Sequence, residues 1–214
     1  MSVLRTGGRA GELRGRSSRE GLLLLTGIVA VMWAVEIINS LDANALDADG
    51  IYPRNVGRLW GVLTAPFLHA SFSHLIDNTV PLVCLGAIIA LRGAARLAAV
   101  TAIIALIGGI GTWLVAPGGT VTVGASGVVF GYATYLLTRG VFDRSPLELL
   151  VGAVVGVVWG GALLASIVPQ PHISWQGHVC GAVGGVVAAW WLAGRSARRR
   201  GATPTPAASI GDPV

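Results

Sequence analysis

Ser126 stands between glycines in Gly124-Ala125-Ser126-Gly127, a setting in which another backbone can come close to the hydroxyl. A serine oxygen becomes a nucleophile when an imidazole takes its proton. His69, His74 and His178 all fall in or beside apolar stretches of this chain. His74 and Asn78 are four residues apart and therefore share a helix face. His69 lies five residues before His74, in the turn entering that helix. If the glycine-rich turn opens a helix at Ser126, the first N–H groups of that helix lack intrahelical acceptors and could face a developing oxyanion. His178 is followed by Gly181 and Gly185, and the same spacing recurs in Gly124, Gly127 and Gly131. Two such smooth faces let two helices approach as closely as a serine–histidine hydrogen bond needs. Together these residue types suit acyl transfer. Each also has a plainer reading: a helix cap, polar glue between helices, or a satisfied packing histidine.

The elements that must position them are apolar runs. Hydrophobic residues make up 53% of the 214, and charged residues only 12%, too apolar for an ordinary soluble domain. The runs span about 21–38, 66–92, 97–115, 126–137, 147–168 and 175–192. Most are as long as a bilayer-spanning helix requires. The sequence thus predicts an all-α, polytopic bundle of six transmembrane helices over residues 21–195. Residues 1–20 read as a disordered basic tail and residues 196–214 as a second disordered tail.

All fifteen basic residues are arginine. With the N-terminus inside, thirteen fall in cytoplasmic segments, and only Arg54 and Arg58 fall outside. That imbalance predicts cytoplasmic termini. It also argues against nucleic acid as a partner, because the charge sits in short segments between apolar runs. Trp60, Trp113 and Trp175 are then expected at the outer interface, and Trp190 and Trp191 at the inner one. The second, fourth and sixth helices all run inward. His69, His74, Asn78, Ser126 and His178 each lie in the first half of their helix, so they share one depth in the outer leaflet. Independent polar glue would scatter in depth. A transporter path would continue to the cytoplasmic side, and no matching polar set is seen there. Cys84 and Cys180 lie inside apolar runs and are expected as small buried hydrophobes without a disulfide. A cleaved signal peptide near Ala43-Asn44-Ala45 is disfavoured, because the candidate site lies well beyond the end of the first run.

At these residues the chain resembles the rhomboid intramembrane proteases. The matching patterns are His69-xxxx-His74-xxx-Asn78, Gly124-Ala125-Ser126-Gly127 and His178-xx-Gly181-xxx-Gly185. They occur in the family's order, on its second, fourth and sixth helices. The resemblance implies Ser126 as nucleophile and His178 as general base. It implies that His74, Asn78 and the Ser126 backbone N–H form the oxyanion site, with His69 supporting. No metal and no cofactor are implied. The substrates implied are single-pass transmembrane proteins, cut near the outer face of a bacterial inner (plasma) membrane; the lysine-free, Ala-, Gly- and Arg-rich composition suits a GC-rich bacterial genome. Two departures stand out. The family often has Trp-Arg in its first outer loop where this chain has Trp60-Gly61, and often Tyr four residues past the nucleophile where this chain has Phe130. No acidic residue is placed to orient His178, so a dyad is expected. Asp77 is expected at the cavity rim or paired with a neighbour.

Overall fold

The computed structural model describes residues 4–166, 168–170 and 173–201, with side chains from residue 15 to residue 193. Helix α1 spans Leu4–Leu41, and the short α2 spans Gly61–Thr64. Then follow α3 (Phe72–Ala90), α4 (Ala94–Val115), α5 (Ser126–Asp143), α6 (Pro146–Ser166) and α7 (Trp175–Gly201). No strand occurs among the described residues; one antiparallel bridge joins Ile51 to Thr122. Four helices are long and apolar enough to cross a membrane: Gly15–Leu41 within α1, α3, α4 and α6. Helix α5 is more polar than α3, α4 and α6 because it carries Arg139 and Asp143.

Several boundaries differ from the sequence expectation, each for a physical reason. Helix α1 begins inside the stretch expected to be a disordered tail. Arg16 and Glu20 pair one turn apart along it, and Ser18 Oγ donates to the Leu91 carbonyl at 2.7 Å. Helix α7 likewise continues to Gly201, past the expected start of the second tail; residues 202–214 lie outside the described residues. Helix α3 starts at Phe72 and not near Pro66, because Ser71 caps it: its Oγ accepts from His74 N at 3.2 Å. Helix α5 runs six residues past the expected Leu137 because its polar end is buried by pairing. Arg139 Nε donates to Asp143 Oδ2 at 2.8 Å, and Arg139 Nη1 to the Tyr135 hydroxyl at 2.9 Å. Glu148 lies between Arg139 and Arg92. Arg92 and Arg139, which the sequence places only as topology signals, thus belong to an ion cluster built on the buried Arg139 and Glu148.

The core is a seam of large apolar side chains, including Leu75, Leu82, Leu85, Tyr132, Tyr135 and Leu136, all at most 2% exposed. Helices α5 and α7 meet backbone to backbone. A Cβ at Gly181 would collide with the Gly127 carbonyl, and one at Gly185 with the Gly131 carbonyl. Thr134 Oγ1 bridges the same seam by donating to the Ala182 carbonyl at 2.7 Å. The close approach expected from glycine spacing is therefore present, through two of the three expected α5-side glycines. Gly124 faces elsewhere. Both cysteines are free, but neither is buried as expected: Cys84 is exposed on the outside of α3 and Cys180 is half-buried.

The connection between α1 and α3 is ordered, although it holds little regular helix. Ile51 and Thr122 exchange backbone hydrogen bonds at 2.9 and 3.0 Å, and Gly124 N donates to the Ala65 carbonyl at 2.9 Å. This loop is thereby tied to the segment leading into Ser126. Arg54 Nη1 donates to the Leu114 and Ala116 carbonyls, and Arg58 stacks over the Tyr52 ring. A side chain at Gly61 would run into the Gly50 carbonyl, so glycine there suits this packing. Arg54 and Arg58 thus hold this loop from positions before Gly61.

Candidate active site

Ser126 is the first residue of α5, preceded by a turn that only glycine adopts easily: Gly124 has φ +115°. The reason for glycine is spatial as well. A Cβ there would lie 2.7 Å from His74 Cε1, 2.8 Å from His74 Nε2 and 3.5 Å from Asn78 Nδ2. The turn before the serine is therefore pressed against the His74–Asn78 face of α3. At the start of α5 the Ser126 and Gly127 N–H groups have no intrahelical acceptor.

His178 lies in the first turn of α7, 7% exposed. Its ring stacks on Phe130, with centroids 4.3 Å apart and planes 6° from parallel. Its Nδ1 lies 2.8 Å from the Ser166 carbonyl at the end of α6. A carbonyl oxygen only accepts, so Nδ1 carries the proton and Nε2 of the neutral ring keeps its lone pair. The partner that orients this histidine is a backbone carbonyl and not a carboxylate. Ser126 Oγ makes no hydrogen bond to His178 among the described residues; such bonds are commonly long before substrate binds.

Ser126, His178, His74, Asn78 and Phe130 line one cavity of about 1160 Å³. Asp77 lies on the wall of the same cavity, exposed, as expected for a rim residue. Gly124 and Gly127 join Ser126 around a much smaller space of about 40 Å³ beside it. Asn78 is 5% exposed, yet its Nδ2 has no hydrogen-bond partner. A buried donor left unpaired costs about 1–3 kcal/mol. Helix α3 carries that cost beside the serine turn.

His69 does not line the large cavity. It is fully buried beneath the serine turn, where its Nε2 accepts from Ala125 N at 3.4 Å and its ring meets His74 edge-on. Gly181 and Gly185 are also not wall residues; they set the α5–α7 distance. Sequence reasoning missed two residues of α1 in this region, Glu36 and Asn39, which are 1% and 0% exposed. Their signal was present: a carboxylate inside the first apolar run and, three residues on, an amide just past its end. The Ser166 carbonyl could not have been found, because a backbone group has no sequence signature.

The expectation that polar groups stop in one half of the bundle needs correction. The cluster of Arg92, Arg139, Asp143 and Glu148, in which Arg139 and Glu148 are buried, lies at the far end of α5 from Ser126. The apolar seam of Leu82, Tyr132 and Leu136 intervenes, and the cluster pairs within itself. It does not extend the polar site into a continuous path.

An all-helical fold with several membrane-length apolar helices, enclosing a polar cavity, defines a multi-pass membrane protein. A family model described as the Rhomboid domain matches residues 56–195, and the chain belongs to the rhomboid family of intramembrane proteases. An uncharacterised protein of Mycobacterium tuberculosis is 43% identical over 188 residues, covering 84% of this chain and 78% of the relative. A Bacillus subtilis protein named "Putative rhomboid protease YdcA" is 28% identical, covering 82% of this chain and 92% of its own. Rhomboid-like protein 11, chloroplastic, of Arabidopsis thaliana is 30% identical, covering 61% of this chain and 51% of the relative.

Proposed function

We propose that this protein is a serine endopeptidase that cuts transmembrane segments of other membrane proteins with a Ser126–His178 dyad. The observation that carries the reading is the state of His178. Its ring is fixed between Phe130 and the Ser166 carbonyl with Nε2 left as the basic atom, on a cavity it shares with Ser126. In this reading Nε2 takes the Ser126 proton as Oγ attacks a peptide carbonyl. The oxyanion that forms is stabilised by Asn78 Nδ2, by His74 and by the Ser126 N–H. The unpaired, buried Nδ2 supports this role, since a donor kept free before the reaction needs no reorganisation during it. The protonated His178 then gives its proton to the leaving amine, and an acyl-enzyme on Ser126 remains. Water hydrolyses it with His178 again as base.

A peptide bond in a membrane helix is shielded by that helix's own hydrogen bonds, so the substrate must unwind locally before its carbonyl reaches Ser126. Six crossings with both termini cytoplasmic, as the arginine distribution predicts, put the cavity toward the outer face of the plasma membrane. Cleavage near that face follows.

The test is proteolysis of a model single-pass substrate by the purified protein in detergent. Wild type is expected to cut it, and Ser126→Ala and His178→Ala are expected to be inactive. Equal cleavage by wild type and Ser126→Ala would sink the dyad. A binding protein without catalysis would retain the substrate uncut in all three.

A further inference from the structure

The Rhomboid-domain match begins at residue 56, so it leaves out α1. Yet α1 supplies a buried amide that touches the backbone beneath the nucleophile. Asn39 is 0% exposed and uses both ends of its side chain. Its Oδ1 accepts from Leu46 N at 2.9 Å. Its Nδ2 donates to Asp47 Oδ1 at 2.9 Å and to the His69 carbonyl at 3.3 Å. His69 in turn accepts the Ala125 N–H through Nε2, one residue before Ser126. An unbroken chain of polar contacts therefore leads from α1 to the serine turn, with both linking side chains fully buried.

The chain has a direction that packing alone does not require. Ala125 precedes the first turn of α5, and its N–H has no helical acceptor. Here the unprotonated Nε2 of His69 satisfies it, which requires the ring to be held at the right height. His69 lies in an irregular stretch between the 3-10 turn Ala65–Phe67 and α3, so no helix of its own sets that height. Asn39 sets it from a long helix.

We propose that Asn39 is a positioning residue for Ser126, acting through His69, and that α1 is thereby part of the catalytic apparatus. The inference rests on Ser126 being the nucleophile. Asn39 touches no substrate, so its loss should leave binding intact and slow the chemical step.

The experiment uses the full chain in detergent, with cleavage of a model transmembrane substrate read as kcat and KM. Asn39→Asp is nearly isosteric and keeps an acceptor for Leu46 N, but as a carboxylate it loses both donated bonds. Asn39→Ala removes the side chain. For both, kcat is expected to fall at least tenfold with KM within twofold of wild type. Labelling of Ser126 by a fluorophosphonate should slow in parallel. Ser40→Ala, at the exposed neighbouring position, should keep the wild-type kcat. Should neither Asn39 variant fold, Asp47→Ala decides, since it frees the Asn39 amide to swing: a several-fold loss of kcat supports the proposal, and a wild-type kcat overturns it. A folded Asn39→Ala or Asn39→Asp with kcat within twofold of wild type, or with the loss confined to KM, also overturns it. If wild type neither cuts substrate nor takes the label on Ser126, it is the underlying protease reading that has failed.

Discussion

At the scale of single residues, the cavity holds one group that is costly to keep unless it works. Asn78 Nδ2 is a buried donor with no partner, and an apolar residue of similar size would relieve that cost. If it is an oxyanion donor, Asn78→Ala should lower kcat by roughly 10²–10³ while the protein folds at least as well. A kcat near wild type would make it a packing residue. Phe130 gives a second case. It stacks flat on His178, and the stacking belongs to the ring and not to any hydroxyl. Phe130→Tyr is accordingly expected to keep kcat within about threefold, whereas Phe130→Leu removes one of the two restraints on the imidazole and should cost tenfold or more. Equal rates for the tyrosine and leucine variants would remove the stacking from the account. Sequence alone made the ring legible and its partner a guess. The second restraint, the Ser166 carbonyl, was invisible because any residue at position 166 offers one.

At the scale of elements, the decisive contact is the glycine seam between α5 and α7. The three-and-four spacing of His178, Gly181 and Gly185 was readable because helix periodicity is fixed. What could not be read was which α5 glycine each one meets. Gly127 and Gly131 take that role, and Gly124 is used for a positive φ against His74. Gly181→Val should push the helices apart, destabilising the fold by about 1–3 kcal/mol or more and separating Ser126 from His178. Gly27→Ala, where a Cβ meets nothing within 4 Å, serves as the matched control and should leave both stability and cleavage intact. A thermal midpoint and cleavage rate unchanged in Gly181→Val would mean that the seam does not set the distance. The ordered loop between α1 and α3 was the least legible element. Its contacts are to backbone carbonyls of distant segments, as with Arg54 on Leu114 and Ala116. Such contacts depend on the finished fold and leave no local pattern.

At the scale of the whole molecule, the two ends of the bundle do different things. One end holds the cavity, and the other holds the Arg92–Glu148–Arg139–Asp143 cluster. Membrane class and helix order came through from the apolar runs, since these act over many residues. The cluster did not, because its arginines read equally well as topology signals. Breaking a buried ion pair by removing one partner commonly costs about 3–5 kcal/mol. Glu148→Ala, which takes the carboxylate from Arg92 and leaves Arg139 with Asp143 alone, should lower the unfolding midpoint in detergent while cleavage per folded molecule stays near wild type. An unchanged midpoint would show the cluster to be dispensable.

The central claim is that His178 makes Ser126 a nucleophile, and covalent labelling tests it without needing the physiological substrate. Full-length protein in detergent is treated with a fluorophosphonate, and the adduct is located by mass spectrometry. One adduct is expected, on Ser126, formed much more slowly in His178→Ala and absent in Ser126→Ala. Labelling of Ser126 at the same rate with and without His178, or an adduct on another residue, would contradict it.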